Sequence, residues 1–261
     1  MNQKQNRLLR PIVCGLLLLA TQAPLKAQYD YTTNVDGISI TITGYTGPGG
    51  ALSIPTNING LTVTGIGLAA FYENYRLTSV TIPGSVTSIS NAAFDLCTNL
   101  TSVTLTNGLA SIEYNAFGNC VSMTNITIPG SVTNIGEAAF TFTGLVNVTI
   151  PASVTNIGEY AFAQNPVLGE VTIPGSFSSG YDFLYAFSSD PKLTNVTIAN
   201  GATSIARNMF DECDNLRELT IPASVTNIGD YAFIECYFLT TSRFPMACPI
   251  SVPIRSRLAM A

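Results

Sequence analysis

Along most of the chain a short alternation of apolar and polar positions recurs at a nearly fixed distance. In residues 100–123, Leu100, Val103 and Leu105 point to one side of an extended segment and Ser102 and Thr104 to the other, as the two-residue period of a strand requires. A corner rich in Pro or Gly follows. Leu109 and Ile112 then turn inward again, and Ala116 with Phe117 closes the unit on a short helical or irregular turn. The same phase places Phe71, Phe94, Phe117, Phe140, Phe162, Phe187, Phe210 and Phe233 at steps of 23, 23, 23, 22, 25, 23 and 23 residues. Ala precedes each of these except Phe210, which follows Met209. A second marker runs alongside, with Ile82, Leu105, Ile128, Ile150, Ile173, Ile198 and Ile221 each following a Thr. The apolar surface of one unit does not offset the entropy of ordering its backbone, so the units must stack and share one interior. Two unrelated domains are thereby excluded.

A constant period of this length with a Leu-x-x-Val-x-Ile core is the pattern of a leucine-rich solenoid. The fold expected is a repeat solenoid, a right-handed superhelix of about eight 23-residue coils, β-rich with short helical or irregular turns. The phrase Leu216-Arg-Glu-Leu-Thr-Ile-Pro-Ala-Ser-Val-Thr-Asn-Ile-Gly-Asp-Tyr-Ala-Phe233 resembles the BspA-like, or Treponema-type, leucine-rich repeats of bacterial surface proteins, over about residues 36–239. Gly37-Ile-Ser-Ile-Thr-Ile-Thr-Gly-Tyr-Thr-Gly47 is similar to the strand that precedes the first coil in such proteins. The resemblance implies a secreted or surface-exposed repeat region, with adhesion or protein binding as its role and no catalytic residues. Two places depart from the pattern. Residues 177–187 carry two extra residues in place of the usual Val-Thr-x-Ile-Gly, and residues 141–144 lack one residue and the Cys.

The first 27 residues read as an export signal. Lys4, Arg7 and Arg10 precede the apolar stretch Ile12 to Ala20, and Ala27 supplies the small residue before a cut at Gln28. The continuous apolar run is too short for a membrane span. The chain then divides into an N-terminal β cap and lead-in segment over 28–60, the solenoid over 61–240 and an aberrant tail over 241–261. Without the leader, 7 Lys and Arg stand against all 16 Asp and Glu, a net charge of −9. Nucleic acid and anionic membranes are poor partners for such a chain; an extracellular protein or glycoconjugate is the expected one, bound by a monomer.

Composition narrows the chemistry further. The chain has no His and no Trp, and only 10% of it is charged. Without His there is no Ser-His-Asp or Cys-His nucleophile system and no His-ligated zinc, and no cofactor is expected. Three residues after each repeat Phe stand Asn74, Cys97, Cys120, Thr143, Asn165, Asp190, Cys213 and Cys236, a single structural column. Its cysteines are read as buried free thiols. The alternative is a pair of disulfides, Cys97–Cys120 and Cys213–Cys236, because adjacent rungs lie about 5 Å apart.

Three outward features are candidate sites. The strand face carries Thr81, Thr104, Thr127, Thr149, Thr172, Thr197 and Thr220 in one row, either a recognition surface or a ladder that merely favours β structure. The irregular sixth coil carries Tyr181 and Tyr185, aromatic side chains of the kind that dominate binding hot spots. Glu137 and Glu159 lie one coil apart, so a carbohydrate-active or sugar-binding surface is the alternative to adhesion, and a structural envelope spacer is the third. Asp211-Glu212-Cys213-Asp214 is an acidic turn without the alternating spacing of a calcium loop.

After Leu239 the pattern fails. The chain continues Thr240-Thr-Ser-Arg-Phe-Pro-Met-Ala-Cys-Pro-Ile-Ser-Val-Pro, without the expected Phe. The codons behind this stretch, read two bases later, permit Ile-Pro-Asp-Gly-Val-Pro-Asp-Ile-Gly, in register with Ile221 to Gly229. Residues from about 241 onward are therefore read as the product of a shifted frame, which would leave the last coil without a polar cap.

Overall fold

The protein is described by a computed structural model covering residues 28–176 and 184–239 and the backbone of 241–243. The segment 1–27 expected to be an export signal, Tyr181 and the tail from 244 onward lie outside the described residues. The chain opens with β1 (Tyr29–Thr33), β2 (Ser39–Tyr45), β3 (Gly50–Ser53), β4 (Asn57–Ile58) and β5 (Leu61–Ile66). Each later coil contributes a strand and then, where it is described, a two-residue strand. These are β6 (Leu77–Ile82) and β7 (Ser88–Ile89), β8 (Ser102–Leu105) and β9 (Ser111–Ile112), β10 (Asn125–Ile126) and β11 (Asn134–Ile135), and β12 (Asn147–Thr149) and β13 (Asn156–Ile157). Then come β14 (Glu170–Ile173), β15 (Asn195–Ile198) with β16 (Ser204–Ile205), β17 (Glu218–Thr220) with β18 (Asn227–Ile228), and β19 (Thr241–Arg243).

The coils stack with every pairing between them parallel. One face is the run β3-β6-β8-β10 followed by β12-β14-β15-β17-β19, and a second face runs β1-β2-β5-β7-β9-β11-β13, with β16-β18 beyond it. At the N-terminus β1 and β2 form an antiparallel pair, and β2 runs parallel to β5. This converts the sequence segment that precedes the first coil into a cap. Its Tyr45 ring tilts onto Phe71 at 5.4 Å, and Tyr29 covers Tyr45 at 5.0 Å.

The interior is continuous from Tyr29 to Leu239. Its axis is the phenylalanine column, numbered here as coils 1 to 8 from Phe71 to Phe233. Neighbouring rings lie 4.8–5.7 Å apart with interplanar angles of 2–12°. Every one of the eight is buried. The Ala before seven of the eight Phe residues lets the backbone close over the ring, and the Phe N–H of coils 1 to 7 donates to the carbonyl of the residue before the next repeat Phe, as in Phe94 to Ala116 at 2.8 Å and Phe117 to Ala139 at 2.9 Å.

Of the two turns expected around each Phe, helical or irregular, the structure has the irregular one. None of the described residues is helical. The residues two before and two after each Phe instead take positive φ, from Ala69 and Glu73 in coil 1 to Tyr231 and Glu235 in coil 8. Alternate N–H groups then point along the stack: in coil 2, Ala92, Phe94 and Leu96 donate to Tyr114, Ala116 and Gly118, while Asp95 bonds back to Ala92. The turn is a ladder in its own right, satisfying its backbone between coils where a helix would do so within one.

The first face is interrupted. β10 ends one run of strands and β12 begins the next, because coil 4 has one residue fewer between its buried column residue and its strand: Leu145 follows Thr143 by two where Met123 follows Cys120 by three. Val146 still donates to Thr124 at 3.1 Å, but beyond that the two strands part. At the other end, β19 extends the ladder by one rung, pairing Thr220 with Arg243. Parallel pairing uses only the backbone, so 241–243 join the sheet although their side chains lack the Val-Thr-Ile pattern.

Candidate functional site: the threonine ladder and its flanks

The threonine row is positioned by strand pairing. Thr81 lies opposite Thr104, Thr149 opposite Thr172, Thr172 opposite Thr197, and Thr197 opposite Thr220. Thr127 follows the pair Ile126–Val103 in the same direction. All are exposed except Thr172, which is half-buried, while the residues on either side of each Thr pack inward. The result is a narrow polar strip whose hydroxyls and methyls repeat at the strand spacing. Ser79, Ser102, Asn125, Asn147, Glu170, Asn195 and Glu218 border it. Where the ladder parts, Ile126, Thr127, Ile128, Asn147, Thr149 and Pro151 line a cleft of about 320 Å³. The missing residue of coil 4 is the sequence signal of this cleft.

The cysteine column is internal. Cys97, Cys120, Cys213 and Cys236 are free and buried. Each thiol donates to the carbonyl of the repeat Phe in the coil before it: Cys97 to Phe71 at 3.1 Å, Cys120 to Phe94 at 3.2 Å, Cys213 to Phe187 at 3.0 Å and Cys236 to Phe210 at 3.1 Å. The disulfides Cys97–Cys120 and Cys213–Cys236 are therefore not formed in this structure. The side chains run parallel along the stack, each toward its own carbonyl, and do not converge on one another. Burial pushes the Cys97 and Cys236 thiols up to about 12 and those of Cys120 and Cys213 well above their ordinary value. None is a nucleophile at neutral pH. A thiol-reactive dye followed by peptide mapping should leave these four unlabelled in the folded chain and label all four in urea. Labelling of any of them in the native state would contradict the packing.

Between the two cysteine pairs the column turns polar. Thr143 donates from both its N–H and its hydroxyl to Asn165 Oδ1, at 2.7 and 2.6 Å, and Asn165 Nδ2 donates to Phe162 O at 2.6 Å. Asn165 N–H donates to Asp190 Oδ1 at 2.7 Å. Asp190 is fully buried, its Oδ2 has no partner, and desolvation raises its carboxyl well above the usual range. This is a structural group with no path to solvent.

Glu137 and Glu159 lie exposed on the turn face, away from the threonine strip, and both clefts described here are lined by other residues. The acidic turn contributes Glu212 and Asp214, with Ser189, Pro191 and Glu235, to a cleft of about 210 Å³. Among the described residues no group of three or more His, Cys, Asp and Glu side chains is arranged to hold a metal ion. Tyr185 is half-buried and stacks on Tyr160 at 5.0 Å, and Tyr231 stands two coils further along the same face. Sequence reasoning passed over Tyr160 and Tyr231. Their signal is the aromatic residue two positions before the repeat Phe in coils 5, 6 and 8.

Comparison with known proteins fits this geometry. A family profile described as "BspA type Leucine rich repeat region" matches in six copies over residues 64–182 and 183–250. Among solved structures, a leucine-rich repeat protein of T. pallidum is 31% identical, with a TM-score of 0.67 over 84% of this chain and 91% of that one. A leucine-rich repeat protein from Bacteroides ovatus is 27% identical, also with a TM-score of 0.67, over 80% of this chain and 55% of that one. No curated protein matches. Eight stacked coils, their phenylalanine column and the six matched repeats together make the chain a member of the BspA-type leucine-rich repeat family.

Proposed function

We propose that the protein is an exported, non-catalytic binding module that engages an extracellular protein or glycoconjugate through its threonine strip. One observation carries this reading: seven threonines, six of them exposed, stand on successive rungs of one face and offer hydroxyl and methyl groups at the strand spacing on either side of the break between β10 and β12. A partner laid along the strip makes many modest contacts, each repeated from rung to rung, and the cleft between β10 and β12 gives it a fixed point. Membership of a repeat family whose relatives are bacterial supports a surface role. The leader with Lys4, Arg7 and Arg10 supports export.

Immobilised extracellular matrix proteins and glycans, probed with the full chain, test the proposal. Replacing Thr104 and Thr197 by Gln raises longer neutral side chains above the flat strip without adding charge. Binding to at least one immobilised polymer is expected to fall about tenfold or more in that variant and to survive Glu137→Gln with Glu159→Gln. Survival in the threonine variant, or glycan turnover that the glutamine pair abolishes, would overturn it.

A further inference from the structure

The turn face carries a second set of side chains whose placement the stability of the solenoid does not require. The position two before each repeat Phe takes φ between 52 and 59° in every coil, the left-handed region where Gly and Asn are comfortable and bulky residues are not. Coils 1, 2 and 4 place Ala there, and coils 3 and 7 place Asn. Coils 5, 6 and 8 place Tyr160, Tyr185 and Tyr231. An aromatic side chain held repeatedly in a disfavoured backbone state points to a use outside the core.

The chain itself shows what such a tyrosine holds. Arg207, three residues before Phe210, sets its guanidinium over the ring of Tyr231 in the next coil, 5.9 Å from the centroid. The residues equivalent to Arg207 in the coils before Tyr160 and Tyr185 are Glu137 and Glu159. Those two rings stack on each other at 5.0 Å and 16°, and Tyr160 remains 37% exposed. Where coil 7 supplies its own cation, coils 4 and 5 supply carboxylates beside an aromatic pair. Burial, then the fields of Glu159, Tyr185, Asp211 and Glu137, hold the Tyr160 phenol above its ordinary value. From residue 77 to residue 191 the sequence has seven Asp and Glu and not one Lys or Arg.

We propose that the turn face of coils 4 to 6 docks an arginine-bearing polypeptide segment, whose guanidinium lies over the Tyr160–Tyr185 pair and donates to Glu137 and Glu159. Arginine fits better than lysine because its planar group stacks on a ring while its edge pairs with a carboxylate. The surface is separate from the threonine strip, so this inference stands or falls independently of the function proposed above.

Fluorescence anisotropy of a labelled nona-arginine peptide with the full chain at 150 mM salt tests it, with nona-lysine as comparator. Nona-arginine is expected to bind at least fivefold more tightly than nona-lysine. Tyr160→Ala with Tyr185→Ala, and separately Glu137→Gln with Glu159→Gln, should each weaken it tenfold or more. Tyr160→Phe with Tyr185→Phe keeps the rings and should retain binding, and Thr104→Gln with Thr197→Gln should leave it unchanged. No binding by nona-arginine, equal affinity for the two peptides, or indifference to the tyrosine pair would overturn the proposal by leaving at most a diffuse acidic field. If the alanine pair does not fold, the glutamine pair decides, and unchanged binding there overturns it equally.

Discussion

Phe117→Ala is expected to destabilise the protein by about 3–5 kcal/mol, the cost of deleting a buried aromatic side chain and leaving part of its volume empty. Phe117 is fully buried and sits between Phe94 at 5.2 Å and Phe140 at 5.5 Å, nearly coplanar with both in orientation. Truncation removes two ring contacts together, and neither neighbour can close the gap without moving its own coil. In a stack where each coil touches only the next, the damage also weakens the coupling between the two halves. Urea unfolding followed by tyrosine emission, unobscured in a chain with no Trp, should show a lower midpoint and a broader or divided transition. Phe233, in the last described coil, has a Phe ring on one side only among the described residues, and Phe233→Ala should cost less. Equal costs at the two positions would deny that the rings form one column.

Asp190→Asn is expected to act in the opposite direction, making the chain more stable than the parent at pH 7. The cause is the buried carboxyl whose Oδ2 has no partner. Desolvation raises its folded-state pKa, so the folded chain keeps a proton that the unfolded chain releases near pH 4. Its contribution is therefore fully present below the unfolded pKa and is lost as pH rises toward the folded value. Asn165, one coil earlier, shows how an amide fits this column: Oδ1 accepts from the preceding coil, and Nδ2 donates to the Phe carbonyl three residues back. An Asn at 190 can likewise accept from Asn165 N–H and donate toward Phe187 O. The difference in stability between variant and parent should grow with pH from about 4 upward, a comparison in which the other carboxylates cancel. A constant difference, or a less stable variant at neutral pH, would contradict this account of Asp190.

These two residues also mark how far the sequence could be read. Phe117 was legible because its function is to repeat: eight rings at intervals of 22 to 25 residues, seven of them after Ala, leave no other place for the core. Gly37 to Gly47 showed the alternation of a strand, and β2 forms there. The turn geometry was not, because positive φ at Ala92 or Leu96 leaves no mark in residue type; Gly or Asn would have announced it, and most of these positions hold neither. The cysteines share one spacing in the sequence, but spacing alone does not give the direction of a side chain. Parallel thiols satisfied by carbonyls and converging thiols joined as disulfides share one pattern in the sequence. The break between β10 and β12 follows from one missing residue, yet a deletion in a loop says nothing by itself about whether the loop or the strand absorbs it. The tyrosines of coils 5, 6 and 8 were hidden by their neighbours, since Tyr-Ala-Phe reads as a variant of the core motif until the backbone shows the Tyr facing outward.

The claim on which the rest depends is that successive coils advance along one axis at a single strand spacing. Double electron–electron resonance on a C14S/C248S chain, whose four remaining cysteines are buried, measures it directly with spin labels at position 81 paired in turn with positions 172, 197 and 220. The backbone separations should be about 20, 25 and 30 Å, rising by about 5 Å with each added coil. Distances that fail to increase with coil number, or that scatter without order, would show that the repeats do not form a continuous stack.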